Sequence, residues 1–183
     1  MTAVAAVAAE VRSAATDAHV TDYAEALSAL ADSVALVSCE VDGRPWGMTV
    51  TAFCSISTEP PTVLVSLGTS TAAAVAIAES GRFGVSVLAE GQAAIARHGS
   101  RPGVEKYLEP FVGRHAPGGT PFIPGAVAQL DCEVVERIPV ADHVLFLGRV
   151  RTARSSGGAP LLYHRRAYRR LGALIRGRRF GSR

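Results

Sequence analysis

The dipeptide Asp42-Gly43, set between two strand-like runs, constrains this chain more than any other feature. Asp-Gly supplies the two left-handed residues that a tight two-residue hairpin turn needs. The run before it, "SVALVSCEV", is almost wholly apolar, and "GMTVTAFCSISTEPP" follows the turn. Residues 33 to 57 therefore read as one hairpin. With a period of two, Met48, Val50, Ala52, Cys54 and Ile56 share one face of the return strand. Thr49, Thr51, Phe53, Ser55 and Ser57 share the other, which carries four hydroxyls around one aromatic ring. A rigid Pro60-Pro61 step follows and turns the chain into "PPTVLVSLG", another short buried strand.

The rest of the chain continues in strands. "RFGVSVLAE" is one. "GAVAQLDCEVVERI" alternates, with Ala126, Ala128, Leu130, Cys132 and Val134 inward and Gln129, Asp131 and Glu133 outward. "DHVLFLGRVRTA" is the last long strand, and "GGAPLLYHRRAYRRL" closes the domain. Helical segments are short. Asp22 and Glu25 have capping-box spacing, and Tyr23, Ala26, Leu27 and Leu30 follow helical spacing. "STAAAVAIAESG" reads as a helix with Ser70 or Thr71 as N-cap and Gly81 as its stop. "GQAAIARHGS" and "GVEKYLEPF" read as short helical pieces. Strands joined by hairpins and brief helices predict a mainly β fold. A closed or nearly closed antiparallel barrel suits them better than a doubly wound parallel sheet. At 183 residues the chain suits one domain, expected over 21–172, with a leader at 1–20 and a basic tail at 173–183.

Composition is globular, at 48% hydrophobic and 19% charged residues, and the formal charge of +3 is too small to argue for nucleic acid. Residues 164 to 183 hold eight arginines, which read as a solvated tail or as a polyanion- or partner-binding one. No aromatic interleaving supports nucleic-acid binding. Cys39, Cys54 and Cys132 are widely spaced and odd in number, with no CxxC or Cys/His cluster, so they suggest neither a disulfide framework nor a zinc site and predict buried thiols in a reducing cytoplasm. The Ala-rich N-terminus lacks the basic start of a signal peptide, and no apolar run reaches membrane-spanning length.

Catalytic signatures are missing. There is no G-x-S-x-G, no P-loop, no Rossmann G-x-G-x-x-G and no carboxylate couple. Any chemistry then belongs to a bound cofactor. "SLGTST", residues 66 to 71, is the second hydroxyl-rich stretch, and it opens a helix. Its N–H groups and hydroxyls read either as ordinary capping or as a phosphate cradle. Together the two stretches suit a phosphorylated, flat-ringed ligand with polar edges.

Four ordered stretches carry a resemblance: "RPWGMTVTAFCSISTEPPTVLVSL", "SGRFGVSVLAEGQ", "LDCEVVERIPVADHVLFLGRV" and "PLLYHRRAYRRL". Over roughly residues 22 to 171 the chain resembles the flavin reductase family, the reductase components of two-component monooxygenases. The resemblance implies a homodimeric, six-stranded antiparallel split barrel. It implies FMN or FAD near the dimer interface, NADH or NADPH as hydride donor, and a separate oxygenase or halogenase that receives reduced flavin. By position, Pro45, Trp46, Gly47, Met48 and Thr49, with Thr51 and Ala52, border the flavin ring. Gly47 allows close approach, and Thr49 and Thr51 offer donors. Ser66, Leu67 and Gly68 continue that wall, and Ser70 and Thr71 meet the phosphate. His143 corresponds to a histidine beside the nicotinamide, and Tyr163 to an aromatic after the "PLL" strand. No catalytic acid or base and no metal is implied, because stacked rings exchange hydride by position. Ala72, Ala73 and Ala74 depart from the bulkier family pattern, so an arginine from elsewhere in the chain or from the partner subunit is expected at the phosphate. The competing readings are a flavin- or haem-binding sensor or carrier without turnover, and a structural barrel.

Overall fold

The computed structural model describes residues 23–112 and 119–173. The leader, Asp22 and the end of the basic tail lie outside the described residues. Strand β2 (Ala35–Val41) turns at Asp42 and Gly43, with φ of 53° and 69°, into β3 (Arg44–Val50). The turn is the one that Asp-Gly predicts. Strand β4 (Phe53–Thr58) follows, then β5 (Pro61–Gly68), β6 (Arg82–Val87), β7 (Ala128–Val140) and β8 (His143–Ser155). All seven pair antiparallel in the order β3-β2-β6-β7-β8-β5-β4. A small second sheet joins β1 (Asp32–Ser33), β9 (Leu162–His164) and β10 (Ala167–Arg169) in the order β1-β9-β10.

That strand order requires a curled sheet. β3 and β4 sit at opposite ends of the ladder, six inter-strand spacings apart, which is roughly 29 Å on a flat sheet. Yet only Thr51 and Ala52 connect them. Such a link spans at most about 10 Å. The two edges must therefore approach, and β3 does come into contact with β5. The amide of Ser66 in β5 donates to the Ala52 carbonyl at 3.1 Å, which carries the β4–β5 ladder one step into the link. The expected single return strand is corrected here. It breaks where the Phe53 amide donates to the Thr51 carbonyl at 2.8 Å, a turn too tight for a continuous strand. One predicted strand becomes two edges, and six strands become seven.

The break also changes the phase of side chains. Val50 and Phe53 both pack on the barrel interior, whereas Cys54 is exposed and Ile56 is 50% exposed. Ile56 and Cys54 thus leave the apolar face the alternation gave them. The expectation of three buried thiols holds only for Cys39 and Cys132.

The continuous apolar run around β2 has a simple origin: both faces of the strand are covered. Ala35, Val37 and Cys39 point into the barrel with Val65, Phe83, Val85 and Phe146. Val34 and Leu36 point outward into a second cluster with Leu88, Leu108, Ile123 and Leu161. Helix α1 is Tyr23–Ser28, and none of its residues is buried. Helix α2 (Ala72–Ser80) starts at Thr71, whose hydroxyl accepts from the Ala74 amide at 3.2 Å. It stops at Gly81, whose left-handed φ of 69° ends the helix as predicted. Ala73, Ala74 and Ile77 of α2 enter the interior cluster. Helix α3 (Ala93–Ser100) packs on the outer cluster through Ala96, and α4 (Glu109–Val112) through Val112. Buried Ser38 donates to the Pro121 carbonyl at 2.5 Å, and buried Ser86 accepts from the Ile123 amide at 3.1 Å. These two bonds pin residues 120–123 across β2 and β6. Among the described residues no helix is long and apolar enough to cross a membrane.

Candidate functional site

The seam between the sheet edges is where hydroxyls become accessible. Thr51 and Ala52 are exposed there. A cleft of about 220 Å³ opens beside them, lined by Val34, Thr49, Val50, Thr51, Ser100, Tyr163 and Tyr168. Each wall has a structural cause. Thr49 and Thr51 come from the end of β3, and Ser100 ends α3, which rides on β3. Tyr163 and Tyr168 are register partners on β9 and β10. Their rings meet edge-on at 5.4 Å and 61°, the geometry aromatic pairs prefer. The Arg97 guanidinium lies 5.9 Å from the centre of the Tyr168 ring, within cation–π reach.

A second group of predicted residues gathers where β5 meets α2. Gly68 and His143 are register partners on β5 and β8. The Thr69 amide and hydroxyl both donate to the Asp142 carbonyl, at 2.9 and 3.1 Å. The His143 ring nitrogen Nδ1 lies 2.8 Å from the Asp142 carboxylate. That hydrogen bond, first among several causes, holds the Asp142 carboxyl below its ordinary range. The ring is thereby oriented at an exposed site. The Ser66 bond to Ala52 joins this group to the seam.

Several predicted residues take other roles. Pro45 and Gly47 are buried. The Gly47 amide donates to the Lys106 carbonyl at 3.1 Å, and the Leu108 amide to the Pro45 carbonyl at 2.8 Å. Residues 106–108 thus cover the free edge of β3, which an open sheet edge requires. A Cβ on Gly47 would meet Leu108 Cδ1 at 2.6 Å and Leu36 Cδ2 at 2.7 Å. The close approach at Gly47 is to leucines, not to a ligand. Trp46 stacks edge-on with Tyr107 at 4.8 Å, Arg44 sits over that same Tyr107 ring at 3.5 Å, and Met48 packs on the interior cluster. The Leu67 side chain is fully buried, which leaves only its backbone for the wall. The Thr49 hydroxyl donates to the Ala96 carbonyl at 2.9 Å, so it can offer a ligand only an acceptor. The Thr71 hydroxyl donates to the Gly68 carbonyl at 2.8 Å and accepts from Ala74, so its one donor is spent on the cap and is not offered to a phosphate.

Sequence reasoning missed Val34, Ser100 and Tyr168. Tyr168 had a signal, since two tyrosines flanking "HRRA" make a cross-strand pair if that segment is a hairpin. Ser100 had none, because α3 meets β3 only through tertiary packing. Burial pushes the Cys39 and Cys132 thiols up to about 12, with Glu40 and Asp131 adding to it, so neither is a nucleophile at neutral pH.

The cleft offers flat apolar walls, hydroxyls and a nearby cation. It can hold a planar, polar-edged ring, and it places no acid–base couple beside one. A curled antiparallel sheet with such a cleft at its seam defines a split-barrel protein. Residues 27–172 match the family model described as the flavin reductase like domain. The chain is 36% identical over 160 residues to an NADH-dependent flavin reductase of Rhodococcus sp, covering 86% of this chain and 89% of the relative. The styrene monooxygenase flavin reductase of Pseudomonas putida S12 superposes with a TM-score of 0.75 at 34% identity, over 84% of this chain and 99% of that one. BorF, the flavin reductase component of a bacterial two-component tryptophan halogenase, superposes with a TM-score of 0.75 at 30% identity, over 84% of this chain and 98% of that one. The protein belongs to the flavin reductase family.

Proposed function

We propose that this protein is an NADH-dependent flavin reductase that supplies reduced FMN or FAD to a separate monooxygenase or halogenase. The seam cleft carries the reading, since it collects Thr49, Thr51 and Tyr163 from distant parts of a chain of this family. Its donor set fits a flavin. The exposed Thr51 hydroxyl on the cleft lining can donate to a ring carbonyl, Thr49 contributes an acceptor, and the tyrosines supply flat walls. A flavin held by Thr49, Thr51, Tyr163 and Tyr168 would supply the two-electron acceptor for a hydride from dihydronicotinamide, with the accompanying proton from solvent.

The chain's own residues position and bind. Hydrogen-bond donors at a ring edge favour the charge that reduction develops there. The phosphate lies at the start of α2, where the Ala72 and Ala73 N–H groups have no intrahelical acceptor and Ser70 is exposed. His143, oriented by Asp142, borders the nicotinamide. A homodimer is part of the reading. Leu64, Leu145 and Leu147 lie on the sheet face opposite the interior residues Val63, Val65 and Phe146, with Ile56 and Val135 each 50% exposed. A second copy would cover that apolar face, and light scattering should show a dimer.

Mixing the protein with NADH and FMN, and following absorbance at 340 nm, tests the function. Flavin-dependent loss of NADH is expected. Flavin binding without NADH loss would leave a sensor or carrier instead. Thr51→Val should raise the flavin KM about 3- to 10-fold, the loss of one hydrogen bond. His143→Ala should raise the KM for NADH while leaving that for flavin; the reverse pattern removes His143 from the nicotinamide site.

A further inference from the structure

A second cleft, of about 280 Å³, adjoins the seam and shares Thr51 and Tyr163 with the first. Leu27, Leu30 and Asp32 line one side, and Arg166 of the β9–β10 turn lines the other. Three features mark this cleft. Leu27 and Leu30 are 45% and 54% exposed, although they lie toward the cleft. Asp32 is half-buried opposite Tyr163 and is held in register with it. Arg165 and Arg166 both adopt left-handed backbone, with φ of 47° and 59°. That two-residue turn suits Asn-Gly, and side chains with a Cβ enter it only at a cost. The Arg165 amide is tied to the Ser28 carbonyl at 2.7 Å. Arg166 has a weak partner in Glu25, at 4.0 Å, and its side chain is 68% exposed. Backbone strain that places a charge on a cleft rim is the kind that accompanies binding.

The geometry points to this cleft as the seat of the adenosine diphosphate half of the reduced dinucleotide, with Arg166 on its phosphates and Asp32 on its ribose 2′-hydroxyl. The inference rests on the reductase reading above. An arginine fork matches phosphate oxygens, and phosphate competes with Glu25 for it. A carboxylate accepts a hydrogen bond from a free 2′-hydroxyl and repels a 2′-phosphate, which selects NADH over NADPH. Leu27 and Leu30 offer the flat adenine an apolar wall. The shared residues Thr51 and Tyr163 join the two clefts, so the nicotinamide half of a dinucleotide seated here would extend toward the seam.

The test compares wild type, Arg166→Gly, Arg166→Lys and Asp32→Ser with FMN as acceptor, alongside calorimetric titration of ADP-ribose into flavin-free protein. Arg166→Gly should raise the KM for NADH and the Kd for ADP-ribose about 10-fold, the loss of a charged hydrogen bond. Its melting temperature should not fall, because glycine suits the turn, and Arg166→Lys should recover part of the affinity. Asp32→Ser should raise the NADPH-to-NADH ratio of kcat/KM about 10-fold, by removing the repulsion. Unchanged NADH KM and ADP-ribose affinity in Arg166→Gly, or an unmoved ratio in Asp32→Ser, overturns the inference. The same diphosphate occurs in FAD. If Arg166→Gly raises the KM for FAD, but not for NADH or FMN, the cleft holds the flavin's adenosine half and the dinucleotide assignment is wrong. A wild-type protein that oxidises no NADH with FMN overturns the reductase reading itself. Wild-type turnover with unmoved variants overturns only the inference.

Discussion

Replacing Gly47 with alanine separates a packing role from a ligand-approach role. The new Cβ would stand 2.6 Å from Leu108 Cδ1 and 2.7 Å from Leu36 Cδ2, closer than real Cβ atoms approach carbon. Both leucines are fully buried in the cluster beneath α3 and α4, so their tips have little room to retreat. Overpacking of this kind costs about 1–3 kcal/mol. For a chain of this length each kcal/mol lowers the melting temperature by about 2–4 °C, so Gly47→Ala should melt roughly 2–12 °C lower. The assay is thermal unfolding by circular dichroism without flavin, followed by flavin titration at a temperature where the variant is folded. Flavin affinity should be unchanged. Leu108→Ala alone opens a cavity costing about 2–5 kcal/mol, and the double variant should be less destabilised than the sum, since the cavity accepts the methyl. An unaltered melt with weakened flavin binding would refute the reasoning and return Gly47 to the ligand site.

Ser38→Ala should destabilise by about 1–3 kcal/mol, because the Pro121 carbonyl loses its donor in a buried position; chemical denaturation checks this. Native protein at neutral pH should expose one thiol to a disulfide reagent, Cys54. Cys39 and Cys132, held up near 12 by burial, should react only on unfolding. Adding salt to 1 M should scarcely move the melting temperature through Arg151–Glu133 and Arg44–Glu109, because both pairs are roughly half exposed and exposed pairs contribute at most about 1 kcal/mol.

Local chemistry made much of the fold legible. Asp42-Gly43 could form little but a tight hairpin turn, Gly81 little but a helix stop, and the alternation of "GAVAQLDCEVVERI" little but a strand. The residues of the hydroxyl-rich stretch divide. Thr51 reaches the cleft, Thr49 turns its donor to α3, and Ser55 and Ser57 lie on β4 away from the cleft lining. The sequence alone settled the Asp42-Gly43 turn, the Gly81 helix stop, the antiparallel strands and the family, because each depends on neighbours within a few residues or on ordered matches. Tertiary structure alone decided where the return strand breaks, which face of β4 is wet, and which side chains meet at the seam. Those depend on closing a seven-stranded sheet over a two-residue link, and on α3 and the β9–β10 hairpin arriving from far along the chain. No local periodicity carries that information, because curvature and long-range contact are properties of the whole sheet.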